Sequence, residues 1–157
     1  VYFGVRAGTF TEKHFARATM EGVTLGMNYG LRRLSKLGVK PSQIRATGGG
    51  SKSKLWRQIM ADVFNAQVVT LRVSEGAAYG AALQALWTFR NQKEAANLGI
   101  EEITDRFVKL NSRETAEPNP KNVASYKEIQ SLQDDLSKSL RKQFNKHRNI
   151  VARAKRN

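Results

Sequence analysis

"IRATGGGSKSKLWRQIMADVF", residues 44–64, sets three consecutive glycines between an apolar run and a segment with helical spacing. "QIRAT" (43–47) reads as a strand. Leu55, Ile59 and Val63 recur every four residues beside Trp56 and Met60, so 52–65 predicts a helix. A glycine turn at such a junction lets a backbone approach a ligand that a Cβ would exclude. It also aims the free N–H groups and the positive end of the following helix at an anion.

Working outward, "QVVTL" (67–71) reads as the next strand and "SEGAAYGAALQALWTF" (74–89) as a small-residue helix that Ser74 can cap. Strand, helix, strand, helix in that order argues for an α/β layer. The right-handed crossover rule then makes 43–47 and 67–71 parallel neighbours. Upstream, "VYFGV" (1–5) reads as a short strand. A helix follows from about Thr11 to Leu37, capped by Thr9 or Thr11 and stopped at Gly38. Ala18, Gly22, Gly26 and Gly30 fall four apart along it, a ridge that would let another backbone come close. Phe15, Met20, Val23, Met27, Leu31 and Leu34 supply apolar bulk on its other flank. Downstream, "IEEITDRFVKL" (100–110) predicts a short helix and "NSRETAEPNPKN" (111–122) a loop. From Val123 to Lys146 a long helix carries Tyr126, Ile129, Leu132, Leu136, Leu140 and Phe144 on one stripe.

Composition bounds these expectations. The 157 residues suit about one domain, and 40% hydrophobic with 25% charged residues is ordinary for a globular chain. Cysteine is absent, which excludes disulfides and thiolate metal sites and fits a reducing, cytoplasmic setting. No apolar run approaches the length of a membrane span, so no membrane partner is expected. The first residue is Val1, inside what reads as a strand, so a fragment is expected. The net charge is +14, and from Lys138 onward there are eight basic residues and no acid. Two readings of that tail stand: a solvated helix end that frays, or an arm for nucleic acid or an acidic partner. Phe144 is its one aromatic, so it lacks the interleaved rings of a single-strand binder, and nucleic acid is not the expected partner.

The glycine turn is the main candidate site. Gly48, Gly49, Gly50 and Ser51 form a cradle for phosphate or ribose, and Lys52 and Lys54 lie within reach as counter-charges. The P-loop spacing is missing, and so is the third glycine of a dinucleotide fingerprint. By pattern alone a tight turn that packs helix 52–65 on the sheet explains the glycines equally well. His14 and His147 lie on separate predicted helices and form no triad or metal set. Glu21 and Asp62 on apolar helices read as satisfied carboxylates, and Trp56 and Trp87 as core.

Three ordered motifs add a resemblance: "RATMEG" (17–22), "ATGGGSKSKLWRQIMADVFN" (46–65) and "EGAAYGAALQA" (75–85). Together they resemble the C-terminal half of the FGGY carbohydrate kinases over residues 1 to about 90, and more loosely through "YKEIQSLQDDL" (126–136). The wording of the glycine stretch is most similar to the xylulokinase branch. The resemblance implies an α/β chain forming most of the second lobe of an actin-like, ribonuclease-H-like ATPase fold, with a C-terminal helical extension. It implies a core at 1–92 and a helical closing segment at 93–148; the basic tail at 149–157 exceeds the family pattern and is expected to be disordered from its composition. It implies transfer of the γ-phosphoryl group of ATP, with Mg2+, to xylulose, giving xylulose 5-phosphate. It implies that Gly48, Gly49, Gly50, Ser51, Lys52, Ser53 and Lys54 line the nucleotide, and that Glu75 and residues 80–82 support that loop by close packing. The family's catalytic aspartate, glycine hairpin and sugar pocket belong to an N-terminal lobe that none of these residues match. No catalytic residue or metal ligand is therefore assigned, and the chain alone is expected to be inactive. An isolated lobe is also expected to expose apolar surface and self-associate. Two alternatives remain: a basic binding module, and a non-catalytic lobe that holds nucleotide or only a partner chain.

Overall fold

The structure is a computed structural model and describes residues 1–74, 76–93 and 97–154. Its long first helix, α1 (Glu12–Lys36), starts where Thr11 accepts from the His14 N–H and ends at Gly38, whose φ of +91° turns the chain out of the helix. β1 (Gln43–Ala46), α2 (Lys54–Phe64) and β2 (Gln67–Leu71) follow as one crossover unit. β1 and β2 are parallel, in register from Gln43 opposite Gln67 to Ala46 opposite Thr70, as the crossover rule predicts. α2 is capped by Ser53, whose side chain accepts from the Trp56 N–H at 3.2 Å, and stops at Asn65 in the left-handed region.

α2 is the centre of the core, because both of its faces are covered. Met60 and Ala61 pack with Ala46, Val68 and Ala116 of the sheet. Ile59 and Val63 pack with Leu25 of α1 and Tyr126 of α5 (Pro120–Ala154), and Trp56 and Phe64 touch both clusters. Ile59 is 1% exposed; cutting it to alanine would cost about 2–5 kcal/mol in lost contacts and cavity. α3 (Gly76–Lys93) and α4 (Ile100–Phe107) meet Leu71 at the end of β2 around a cavity of about 410 Å³. Trp87 is half-buried and donates to the Leu98 carbonyl at 2.7 Å.

Several sequence expectations are corrected. Residues 1–5 form no strand; Tyr2 and Phe10 instead pack edge-on against Phe15, and the Tyr2 hydroxyl bonds Thr19. The glycine ridge of α1 meets no backbone: a Cβ at Gly22, Gly26 or Gly30 would touch nothing within 4 Å. Val23, Met27 and Leu34 are exposed, while Thr24, Leu25 and Asn28 are buried. The polar pair is tolerated because each is satisfied. Thr24 donates to the Met20 carbonyl and accepts from Trp56, and Asn28 donates to Gln130 at 3.0 Å.

The segment predicted as loop contains β3 (Leu110–Ala116), antiparallel to β2 with Val68 opposite Ala116 and Leu71 opposite Leu110. It is a polar edge strand, so it carries none of the apolar alternation that marks a half-buried one. The closing segment is therefore not purely helical. α5 begins at Pro120, the first helical position, where proline's missing N–H does no harm, and Asn119 Oδ1 accepts from the Lys121 N–H. Of its predicted apolar stripe only Tyr126 is buried, with Ile129, Leu132 and Phe144 exposed. It also makes polar contacts to α1: Arg32 donates to Asp134 at 2.7 Å and Gln133 to the Gly22 carbonyl. The helix continues through residues 149–154, where a disordered tail is predicted; 155–157 and Glu75 lie outside the described residues.

Candidate nucleotide-binding loop

The glycines sit at the carboxyl end of β1 and close a short 3-10 turn, Gly49–Lys52, before α2. Gly48 has φ +80° and ψ −171°, a conformation that L side chains rarely adopt. That residue is fixed from both sides. Its N–H donates to the Ser74 carbonyl at 3.2 Å, and its carbonyl accepts from the Ser51 N–H at 3.2 Å and the Ser51 hydroxyl at 2.7 Å. The Gly50 carbonyl accepts from the Ser53 N–H, and the Ser51 carbonyl accepts from Arg57 Nη1 at 2.6 Å. The turn thus folds three carbonyls inward. Among the described residues the N–H groups of Gly49 and Gly50 have no acceptor. Two bare amides at the mouth of an eleven-residue helix are what an anionic ligand needs.

Each glycine has its own reason. Gly48 supplies the backbone angle. A Cβ on Gly50 would come within 2.9 Å of the Trp56 ring, which forms the floor of the turn. Gly49 is exposed, and a Cβ there would meet nothing within 4 Å. No packing contact therefore requires a glycine at Gly49. A Cβ on Gly76, the first residue of α3, would lie 3.4 Å from the Thr47 side chain, and Leu71, Tyr79, Leu83 and Trp87 line the adjacent apolar cavity. The cavity has no counterpart in the sequence expectations; the small residues of 75–85 were its one signal. Gly80, expected to give close packing, has open space above it.

The side chains divide differently from the sequence expectation. Lys52 and Lys54 are exposed, with no ion pair among the described residues, so both ammonium groups can swing toward a ligand. Ser51 is buried and its hydroxyl is consumed by Gly48. The Ser53 hydroxyl oxygen accepts from the Trp56 N–H as the α2 cap, which leaves its O–H able to donate. Arg57, buried beneath the turn, was missed by sequence reasoning: an arginine one turn into an apolar helix gives no local sign that it folds back.

The other candidates prove structural. Asp62 is 3% exposed and accepts from Gln58 Nε2, the Asn119 N–H and Asn122 Nδ2 at 2.8–2.9 Å, a satisfied carboxylate that fastens the start of α5 to α2. Glu21 accepts from Arg17 at 2.8 Å and from the Tyr126 hydroxyl at 2.8 Å. Burial, and then the bond to Glu21, push the Tyr126 phenol up to about 12; the Glu21 bond also raises the Arg17 guanidinium. This cluster joins α1 to α5 and contains no residue of the glycine loop. His14 is exposed and its Nδ1 lies 2.7 Å from the Thr11 hydroxyl. No group of three or more metal-ligating side chains occurs among the described residues, and none of their helices is long and apolar enough to cross a membrane. Among the described residues no set of carboxylates beside the loop fits a protein-held Mg2+.

Residues 1–89 match the C-terminal domain of the FGGY family of carbohydrate kinases. A xylulose kinase of Haemophilus influenzae is 40% identical over 123 residues, covering 78% of this chain and 24% of that protein. The ligand-bound xylulose kinase of Lactobacillus acidophilus superposes with a TM-score of 0.76 at 27% identity, over 93% of this chain and 28% of that one. A gluconate kinase of the same organism gives 0.72 at 28% identity, over 89% of this chain and 27% of that one. The chain thus spans about a quarter of the length of the relatives it matches. Its fold is that of the C-terminal lobe of the actin-like, ribonuclease-H-like sugar kinases. By its sequence over residues 1–89 and by this fold, the chain belongs to the FGGY family of carbohydrate kinases, within the C-terminal domain.

Proposed function

We propose that residues 1–92 are the nucleotide-binding core of an ATP-dependent sugar kinase that phosphorylates xylulose, with 93–148 closing the same lobe. The observation that carries the nucleotide part is the pair of unclaimed amides at Gly49 and Gly50 beside Gly48 with its positive φ. Gly49 and Gly50 would hold the phosphates by their N–H groups, and Lys52 and Lys54 would add charge. Ser51, whose proton goes to the Gly48 carbonyl, would serve by shaping the turn, and Ser53 would keep its O–H to donate to a phosphate. Mg2+ would ride on the nucleotide's own phosphates, since the described residues around the loop offer no carboxylate set. Xylulose is supported by the names of the relatives, and a gluconate kinase is of nearly equal likeness in fold. Phosphoryl transfer needs charge and positioning from both sides of the nucleotide. These residues by themselves therefore bind nucleotide without transferring its phosphoryl group, in a cytoplasmic setting.

Calorimetry with ADP tests this. The wild-type chain binds, and Gly49→Ala, whose methyl meets only open space, keeps its melting temperature while losing at least tenfold in affinity. Equal binding by the two proteins would refute the site. Adding a separately made N-terminal lobe should restore phosphorylation of xylulose; a folded mixture that phosphorylates gluconate instead would refute the sugar.

A second reading rests on α5: every residue from Arg141 to Ala154 is exposed, and none is acidic. That arm would grip an acidic partner through contacts that weaken steeply with salt and vanish when 138–157 are removed.

A further inference from the structure

Arg57 is 7% exposed, and its guanidinium lies under the glycine turn with Nη1 on the Ser51 carbonyl at 2.6 Å. Among the described residues its one ionic partner is Glu114 of β3, at 3.8 Å, too far for a direct hydrogen bond. The Glu114 side chain is 43% exposed and is steadied by the Thr70 hydroxyl at 3.1 Å. A cation withdrawn from water is thus only partly balanced, by a carboxylate that water screens. Two effects on the turn follow. By holding the Ser51 carbonyl inward, Arg57 keeps the Gly49 and Gly50 amides facing out. By its uncompensated charge, it sets a positive potential behind those amides.

We propose that Arg57 and Glu114 act as an opposed pair that sets the loop's affinity for the phosphate groups of its nucleotide, Arg57 raising it and Glu114 restraining it. This rests on the nucleotide reading above. Arg57 is a positioning residue: it acts through the Ser51 carbonyl and through its field, not by touching the ligand. A purely structural pair would behave differently, since loss of either partner would weaken the fold and the binding together. An opposed pair instead gives changes of opposite sign, confined to ligands that carry phosphate.

The experiment compares ADP with adenosine by calorimetry on the full chain, at low and high salt. Glu114→Gln should bind ADP about threefold tighter, the scale of removing one charge near a partly screened site. The gain should disappear in about 1 M salt. Arg57→Met should lose at least tenfold for ADP, with Arg57→Lys between it and wild type. Adenosine should bind all four proteins alike. If Arg57→Met does not fold, Glu114→Gln decides alone. Unchanged or weaker ADP binding by a folded Glu114→Gln overturns the inference, as does an equal change for adenosine. A wild-type chain that binds neither ligand overturns the nucleotide reading, and this inference with it. A wild type that binds ADP beside a neutral Glu114→Gln overturns this inference alone.

Discussion

The Trp56 indole N–H donates to the Thr24 hydroxyl at 2.9 Å, and this bond fixes the ring over which Gly50 passes. A helix that carries no ligand-facing residue thereby holds the floor of the loop. Gly50→Ala should cost about 1–3 kcal/mol, because its methyl needs the ring to shift. With Thr24→Val the ring is released and the same alanine should cost less. Urea unfolding of the two single variants and the double variant measures this; strictly additive losses would show that the bond does not hold the ring.

Gly48 and Gly49 should separate backbone strain from ligand contact. Neither has a neighbour that a methyl would strike, but only Gly48 has a positive φ. Gly48→Ala should lower stability by about 1–3 kcal/mol, and Gly49→Ala should leave it unchanged. Thermal melting of both without ligand gives the answer.

Asp62 holds three donors, two at the start of α5, 57 and 60 residues away, and one on its own helix. Asp62→Ala should leave buried donors without partners and cost about 3 kcal/mol. Amide exchange should accelerate first at residues 119–123, where α5 begins. Uniform acceleration across α2 and the sheet instead would mean that the carboxylate supports the core rather than this joint.

Alkaline pH should loosen the contact between α1 and α5. The buried Tyr126 phenol keeps its proton up to about pH 12, against about 10 in an unfolded chain. The folded state holds that proton longer, so the linked stability is whole below about pH 10. It is lost as the pH rises to about 12, by roughly 2 kcal/mol. Tyr126→Phe should start less stable, having left Glu21 and Arg17 without the hydroxyl, and should then lack this part of the decline. Urea midpoints between pH 8 and 12 for both proteins check the sign.

What local chemistry decides was legible in the sequence. The cap at Thr11, the stop at Gly38, the α2 periodicity and the parallel pairing of β1 with β2 follow from residues within a few positions of each other. What partners decide was not. Thr24 and Asn28 are buried because Trp56 and Gln130, far along the chain, complete their hydrogen bonds, while nearby Val23 and Met27 stay in water. β3 was hidden because an edge strand needs only β2 beside it, not an apolar face. At the site, the glycine positions were readable, but which seryl hydroxyls remain for a ligand was not. Ser51 and Ser53 look alike in sequence, but the fold spends the Ser51 proton on the turn, while Ser53 only accepts, as a helix cap.

The sheet order β1-β2-β3 leaves β1 paired on one side among the described residues. Its outer row of peptide groups is a template onto which another strand can zip, in step with Gln43 to Ala46. Whatever polypeptide extends the sheet there arrives one residue short of the Thr47–Gly48 bend. Growth of the sheet and the posture of the two bare amides are thus geared to the same few bonds, and an edge that gains a neighbour stiffens the loop before any ligand reaches it.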